Sequence, residues 1–388
     1  MDVIYLDNNA TTQVDKAVID EMMPYFHDFY GNPSSMHRFG GQVGAKLKEA
    51  RERVARLLGA SADEIIFTSC GTESDSTAVH SALKAHPDRK HIVTTRVEHP
   101  AIMNLYDDLS RRGYNVTYVP VDKNGALDME VLAQSLTDDT AIVSIMWANN
   151  ESGVIFPIEK IAEMVKAKGI LFHTDAVQAA GKVDIDMAKV PVDMLSISGH
   201  KIHAPKGVGA LYVRKGTKYW PFLLGGHQEE GKRGGTENVA SIIGFGKAAE
   251  IALEKLEEEN TRVKALRDRL EKGLVAKVPS VIVNGENQER LPNTSSISFE
   301  FIDGESILLM MDELGICASS GSACTSGSLE PSHVLRAMGI PFTAAHGTIR
   351  FSLSIYNTEA EIDFVIEKLP PIIDRLRQMS PFWEQRKA

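Results

Sequence analysis

Lys201, in Ser198-Gly199-His200-Lys201, follows an apolar run over residues 192–197 that reads as a buried strand closed by a Ser-Gly break. An ammonium is costly to bury, so the pKa of such a lysine falls and its amine becomes a nucleophile. That amine can form a Schiff base with an aldehyde cofactor such as pyridoxal phosphate (PLP). Asp175 stands 26 positions upstream, in His173-Thr174-Asp175, at the end of a second strand-like run over 169–172. A carboxylate there suits the pyridine nitrogen of the same cofactor, which it would keep protonated as an electron sink. Taken singly, Lys201 also fits a surface loop and Asp175 a helix N-cap ahead of residues 176–180. The two together favour the cofactor.

Other residues offer compatible chemistry. Cys70-Gly71-Thr72-Glu73 lies between a strand-like run and a helical pattern, where helix-start N–H groups and the Thr72 hydroxyl can hold a phosphate. The spacing is not that of a Walker loop, and a capping box of Thr72 with Asp75 is the structural alternative. His99, in Glu98-His99-Pro100, can stack on an aromatic ring or move protons, or simply precede a helix-starting proline. Cys324 sits among small residues in Ser320-Gly321-Ser322-Ala323-Cys324-Thr325-Ser326-Gly327, where a thiol is exposed and able to reach a ligand. Cys317 reads as a buried strand residue, and Cys70 lies beside the phosphate loop. Arg350 falls in an alternating apolar strand, where a guanidinium pairs with a carboxylate of the protein or of a substrate.

These residues need elements to bring them together. From about Glu64, strand-like runs alternate with helical patterns: 65–67, 91–95, 115–119, 141–146, 170–173, 194–198 and 209–213 as strands, with helices at 73–84, 100–112, 128–135 and 158–168. That alternation predicts an α/β fold, a mostly parallel central sheet flanked by helices, with ligands beyond the carboxyl ends of the strands. Thr68, Glu98, Asn150, Asp175 and Lys201 all follow strand-like runs and should converge on one crevice. Residues 236–275 read as a long helix, interrupted near Gly244-Phe245-Gly246. Beyond it, strands at 281–283, 295–301, 316–318 and 348–353 with helices at 304–314 and 358–377 form a smaller α+β unit. The reading divides the chain into a large domain, 14–260, and a small one, 1–13 with 261–388.

Composition narrows the function classes. With 43% apolar and 24% charged residues, the 388-residue chain is an ordinary globular one. A net charge of −10 argues against nonspecific nucleic-acid binding, and Arg51-Glu52-Arg53 alternates in sign as a solvated helix face does. No signal-peptide pattern opens the sequence and no apolar run reaches the ~18 residues of a membrane helix. Three cysteines are too few for a disulfide framework and match no metal pair. The expectation is a cytoplasmic protein with reduced thiols and no metal site.

The motifs together resemble those of PLP-dependent cysteine desulfurases of the NifS, nitrogen-fixation type, in the class-V aminotransferase family of fold-type I. The matching segments run nearly end to end: Tyr5-Leu6-Asp7-Asn8-Asn9-Ala10-Thr11-Thr12, Gly31-Asn32-Pro33-Ser34-Ser35, Thr68-Ser69-Cys70-Gly71-Thr72-Glu73-Ser74 and Trp147-Ala148-Asn149-Asn150-Glu151. They continue through His173-Thr174-Asp175-Ala176-Val177-Gln178, Ser198-Gly199-His200-Lys201, Arg233-Gly234-Gly235-Thr236-Glu237-Asn238, Ser320-Gly321-Ser322-Ala323-Cys324 and Gly347-Thr348-Ile349-Arg350.

The resemblance implies that Lys201 carries PLP and moves protons, that Asp175 meets the pyridine nitrogen and Gln178 the ring hydroxyl, and that His99 stacks on the ring. It implies a phosphate held by Gly71, Thr72, Ser198 and His200, with Thr236 reaching the phosphate of a neighbouring subunit in a homodimer. Asn150, counted with both cofactor and substrate, and Arg350 would hold the carboxylate of L-cysteine. Cys324 would accept the sulfur as a persulfide, touching an iron-sulfur cluster transiently at most, and pass it to an iron-sulfur scaffold protein while alanine leaves. Cys70 beside the phosphate loop matches the nitrogen-fixation type. Ile355 departs from the pattern, standing where relatives often carry a basic residue, and bears on a partner contact rather than on the chemistry. A PLP aminotransferase or selenocysteine lyase of the same fold is the nearest rival, from which Cys324 discriminates the transaminase. A sulfur-relay scaffold is the rival from another class, and it would need no Schiff-base lysine.

Overall fold

The computed structural model describes residues 3–320 and 331–385. Its strands are β1 (Ile4–Tyr5), β2 (Ile65–Thr68), β3 (His91–Thr95), β4 (Asn115–Val119), β5 (Thr140–Ser144), β6 (Leu171–Asp175), β7 (Met194–Ser198) and β8 (Gly209–Val213). They continue as β9 (Val281–Val283), β10 (Thr294–Phe299), β11 (Ile316–Cys317), β12 (Ser319–Ser320) and β13 (Thr348–Ser352).

Seven strands form the central sheet in the order β2-β8-β7-β6-β5-β3-β4. The pairings from β7 to β4 are parallel, and β8 runs antiparallel to both β2 and β7. Helices lie between β3 and β4, β4 and β5, and β5 and β6, whereas β6 crosses to the parallel β7 through the non-helical segment 176–193. Between β7 and β8 there is no crossover helix but a connection over residues 199–208, so the chain reverses direction there, and Lys201 closes the single helical turn (Gly199–Lys201) that begins it. Strands β3, β5 and β7 are buried along their whole length, which accounts for their near-continuous apolar and β-branched sequences. Alternate residues serve opposite faces: Val93, Val143 and Leu195 enter one apolar cluster, and Ile92, Ile142 and Met194 the other. The first cluster is completed by helices Arg38–Leu57, Ile158–Ala167 and Val239–Glu254, the second by Gly71–Ala85 and Pro100–Arg111.

Two expectations are corrected here. The long helix is unbroken at Gly244-Phe245-Gly246. These glycines instead permit close helix packing: a Cβ on Gly246 would stand 2.6 Å from the Cα of Ala50. The interruption comes later, at Lys255 and at a wide π turn over Glu259–Val263, before helix Lys264–Lys277 resumes. The Arg51-Glu52-Arg53 stretch is not simply a solvated face. Arg51 forks onto both carboxylate oxygens of Glu229 at 2.7 and 2.6 Å, and Arg53, only 13% exposed, donates to Glu21 and Glu49 at 2.7 and 2.6 Å. Charge alternation alone does not reveal the acidic partners brought in by the fold.

A third apolar cluster gathers Leu6, Leu270, Phe299, Ile307, Phe351 and Val365 beneath the antiparallel sheet β12-β13-β10-β9. The N-terminal segment joins it through Leu6, through β1 paired in parallel with β11, and through a bridge from Asp7 to Ser352. Leu291, Val334 and Met338 pack instead into the cluster of the large sheet. Cys317 is a strand residue as expected, but half-buried rather than enclosed. Among the described residues no helix is long and apolar enough to cross a membrane.

Candidate active site

Strand β6 ends on Asp175, β7 on Ser198 and β2 on Thr68, just before helix Gly71–Ala85. These ends open on one crevice of about 330 Å³, as parallel sheets direct. Gly71, Thr72, His99, Asn150, Asp175, Gln178, Ser198, His200, Lys201 and Arg350 all line it. Cys70 and the N-terminal Asn9 and Ala10 join them. Thr236 is exposed and does not line this crevice. Cys324 lies outside the described residues. Thr68 and Glu98 do not line the crevice as expected: both are buried, Thr68 hydrogen-bonded to Ser74 at 2.8 Å and Glu98 accepting from Thr95 at 2.8 Å.

Lys201 Nζ donates to the peptide carbonyls of Asn9 at 2.6 Å and Ala10 at 2.8 Å. Asp175 is buried, and one of its oxygens accepts the Val177 N–H at 2.8 Å, so the capping role and a place on the crevice coexist in one side chain. Burial pushes its pKa up to about 6, opposed by the Val177 hydrogen bond and by Lys201. Asp75 is also buried on the crevice wall, with Oδ1 lacking a hydrogen-bond partner. Burial and the neighbouring Asp175 hold its carboxyl well above the usual range. His173 Nε2 stands 3.5 Å from that oxygen, and burial lowers its pKa to about 3, so the ring is neutral. Two such carboxyls at one wall favour a single shared negative charge.

At the other end, helix Gly71–Ala85 starts without a side-chain cap on its first N–H groups. The capping box of Thr72 with Asp75 is therefore absent: Asp75 turns inward, and Thr72 keeps an exposed hydroxyl at an anion-favouring helix start. Gly71 is fixed by close approach, since a Cβ there would stand 2.8 Å from Val177 Cγ2. His200 Nδ1 meets Thr11 Oγ1 at 3.2 Å, and burial, then Lys201, lowers its pKa to about 4. His99 accepts the Ala101 N–H at 3.2 Å, capping helix Pro100–Arg111. Burial, Lys201 and His333 lower its pKa to about 4, which leaves a neutral ring suited to stacking. Arg350 donates to Asp7 Oδ1 at 2.9 Å and to the Asn150 carbonyl at 3.0 Å, while its Nε is buried without a partner. Gln178 donates to the Asn9 carbonyl at 3.0 Å and leaves Oε1 buried and unpartnered.

An amine, a buried carboxyl, an unsatisfied amide oxygen, a neutral ring and a helix start surround one cavity. This donor set fits a phosphorylated pyridine aldehyde. A family model described as aminotransferase class-V matches residues 4–365.

The chain belongs to the class-V aminotransferase family.

Within this class-V family it is 62% identical over 381 residues to the cysteine desulfurase NifS of Azotobacter vinelandii, covering 98% of this chain and 95% of that one. It is 60% identical over 382 residues to a cysteine desulfurase of a Nostoc species, covering 98% and 96%. A solved structure titled NifS-like protein superposes with a TM-score of 0.91 at 41% identity, covering 97% of this chain and all of the other.

Several residues in and around this class-V crevice escaped the reading of single motifs: Asn9 and Ala10 line it, and Arg233 does not. Asn9 and Ala10 reach Lys201 from 192 and 191 positions away. Their signal was the polar run Asp7-Asn8-Asn9 after a short apolar strand. Arg233 clamps Glu73 through Nε at 2.9 Å and Nη2 at 3.1 Å, tying the Gly-Gly-Thr segment to the helix that bears Thr72. An acidic residue in a helix first turn gives no sign of so distant a partner.

Proposed function

We propose that this chain is a PLP-dependent cysteine desulfurase, converting L-cysteine to L-alanine and supplying sulfur for iron-sulfur and nitrogenase cluster assembly. The observation that carries the reading is the meeting of Lys201, Asp175, His99, Arg350 and the Gly71-Thr72 helix start on one crevice. Identity of 62% to an enzyme named cysteine desulfurase, over nearly the full length of both chains, supports the same activity.

PLP, when bound, supplies an aldehyde for condensation with amines and an electron sink for charge at the substrate's α-carbon. Lys201 holds the aldehyde and then carries protons on Nζ. Asp175 would meet the pyridine nitrogen, Gln178 the ring hydroxyl and His99 the ring face. Gly71, Thr72, Ser198 and His200 receive the phosphate, and the exposed Thr236 is assigned to a second subunit's phosphate. Asn150 and Arg350 hold the substrate carboxylate, for which the unpartnered Nε is one donor.

The Cys324 thiolate attacks the substrate sulfur. An S–S bond forms, and the substrate C–S bond breaks with its electron pair left on carbon. That carbon takes a proton, giving alanine, and the persulfide passes to a scaffold protein. We further propose a homodimer, a cytoplasmic location, and a division into 14–260 and 1–13 with 261–388. A separate apolar cluster drawn from Leu6 and from residues 263–373 supports this division, although Leu291, Val334 and Met338 pack into the cluster of the large sheet.

Alanine and sulfide production from cysteine tests the reading, with Cys324→Ala beside the wild type. The variant is expected to keep the visible band of bound PLP and lose turnover; retained turnover would remove Cys324 from its role. A wild type that stays colourless with added PLP would remove the cofactor as well.

A further inference from the structure

Asn9 is 2% exposed, and every polar group it has is engaged. Its N–H donates to Ser352 Oγ at 2.9 Å. Its side-chain amide donates to Thr294 Oγ1 at 2.9 Å and to the Asn150 carbonyl at 3.2 Å, and its side-chain oxygen accepts from Asn293 at 3.1 Å. Its carbonyl accepts from Lys201 Nζ at 2.6 Å and Gln178 Nε2 at 3.0 Å. The next carbonyl, Ala10, accepts from the same Nζ at 2.8 Å. A short polar segment is thus locked from both flanking units and aims two peptide oxygens at one amine.

We propose that the Asn9 and Ala10 carbonyls are a dock for the ammonium of Lys201 whenever its amine is not joined to the cofactor, and that Asn9 is the positioning residue that fixes the dock. Peptide oxygens at these distances favour the charged donor over the neutral amine, because hydrogen bonds to an ionised group are shorter and stronger. The dock therefore favours the protonated form of Lys201, and the Asp175 carboxylate, which Lys201 attracts, acts in the same direction. A lysine displaced by the incoming amino group would take up a proton at this point and keep it close to the crevice, ready to return. Gln178 shares the Asn9 oxygen, so the group assigned to the ring hydroxyl and the group assigned to the aldehyde are set from one atom.

The inference rests on Lys201 being the PLP lysine, and one experiment separates the two claims. The full-length chain is treated with a limiting amine-acylating reagent at fixed pH. Labelling at Lys201 is quantified by peptide mass spectrometry against the buried Lys182 as internal reference. Protection of Lys201 in the PLP-loaded wild type tests the cofactor reading. The dock is tested in PLP-free full-length protein by comparing wild type with Asn9→Ala and with Thr294→Val, which removes the acceptor of the Asn9 amide without entering the crevice. Both variants are expected to raise Lys201 labelling relative to Lys182 by about threefold or more, the change in neutral amine for half a pKa unit. An unchanged ratio in the folded Thr294→Val variant overturns the dock, and so does an equal rise at both lysines, which is loosening of the fold alone.

Discussion

Arg350 and Asp7 lie 343 positions apart in sequence and 2.9 Å apart in space, between Nη2 and Oδ1. The pair fixes the guanidinium that is assigned to the substrate carboxylate, and the Asn150 carbonyl fixes its other arm at 3.0 Å. Arg350→Lys keeps the charge but loses the fork that can hold Asp7, Asn150 and a ligand together. Losing one charge-assisted hydrogen bond of ~1.5–3 kcal/mol should raise KM for cysteine by about 10- to 100-fold, with the PLP band intact. Steady-state kinetics with cysteine check this, and an unchanged KM would move the carboxylate site elsewhere.

Asp175→Asn preserves shape and the capping of Val177 while removing the charge proposed to serve the pyridine nitrogen. The expected result is a fall in kcat on the order of 10²- to 10⁴-fold, the usual weight of a proton-controlling group. Lys201 and the phosphate end should still retain the cofactor. Absorbance and kcat measured on one preparation decide it: a kcat near that of the wild type would show that another group, with Asp75 the nearest candidate, serves the nitrogen.

Glu73→Ala tests the clamp on Arg233. The pair is bidentate, with Glu73 at 6% and Arg233 at 22% side-chain exposure. Breaking a fully buried pair costs ~3–5 kcal/mol, and partial exposure of the arginine lowers the expectation to ~2–3 kcal/mol. Denaturant unfolding measures this. If the clamp also sets Thr236 toward a second subunit's phosphate, PLP should dissociate faster from the variant, and an unchanged off-rate would confine Glu73 to stability.

Legibility of the sequence followed the range of the interactions. Strands β3, β4, β7 and β8 match their sequence patterns residue for residue: burial on the sheet imposes a local apolar signature on β3, β7 and β8, and the half-buried edge strand β4 is marked by its β-branched and aromatic residues. Asp175 and Lys201 were found because the ends of such strands are readable. The antiparallel insertion of β8 between β2 and β7 was not, since it depends on tertiary pairing rather than on the strand itself. The glycines at 244 and 246 read as a break because their packing partners, such as Ala50, are far away in sequence. Asn9, Arg233 and the Arg51–Glu229 pair escaped for the same reason. Each acts through a partner more than a hundred positions away, and a lone polar residue carries no mark of its partner.

Glu98 gives a prediction in pH. It is fully buried next to His99 in sequence, accepts the Met146 N–H on both oxygens at 3.1 Å, and burial raises its pKa from 4.5 to about 8. In the unfolded chain it loses its proton near 4.5, so between these values the folded state binds more protons. Stability from this group is therefore complete at low pH and is lost as pH rises through the window, by at most ~1.4 kcal/mol per pH unit. His99 and His200, lowered to about 4, act oppositely, adding stability as pH rises from about 4 to their ordinary 6.5. Those terms cancel when two proteins differing only at residue 98 are compared. Glu98→Gln removes the proton-linked term, so its melting temperature relative to wild type should climb steadily from about pH 5 to about pH 8. A difference that is flat across that range would mean that Glu98 is ionised in the fold and that its charge is held by the Met146 and Thr95 donors.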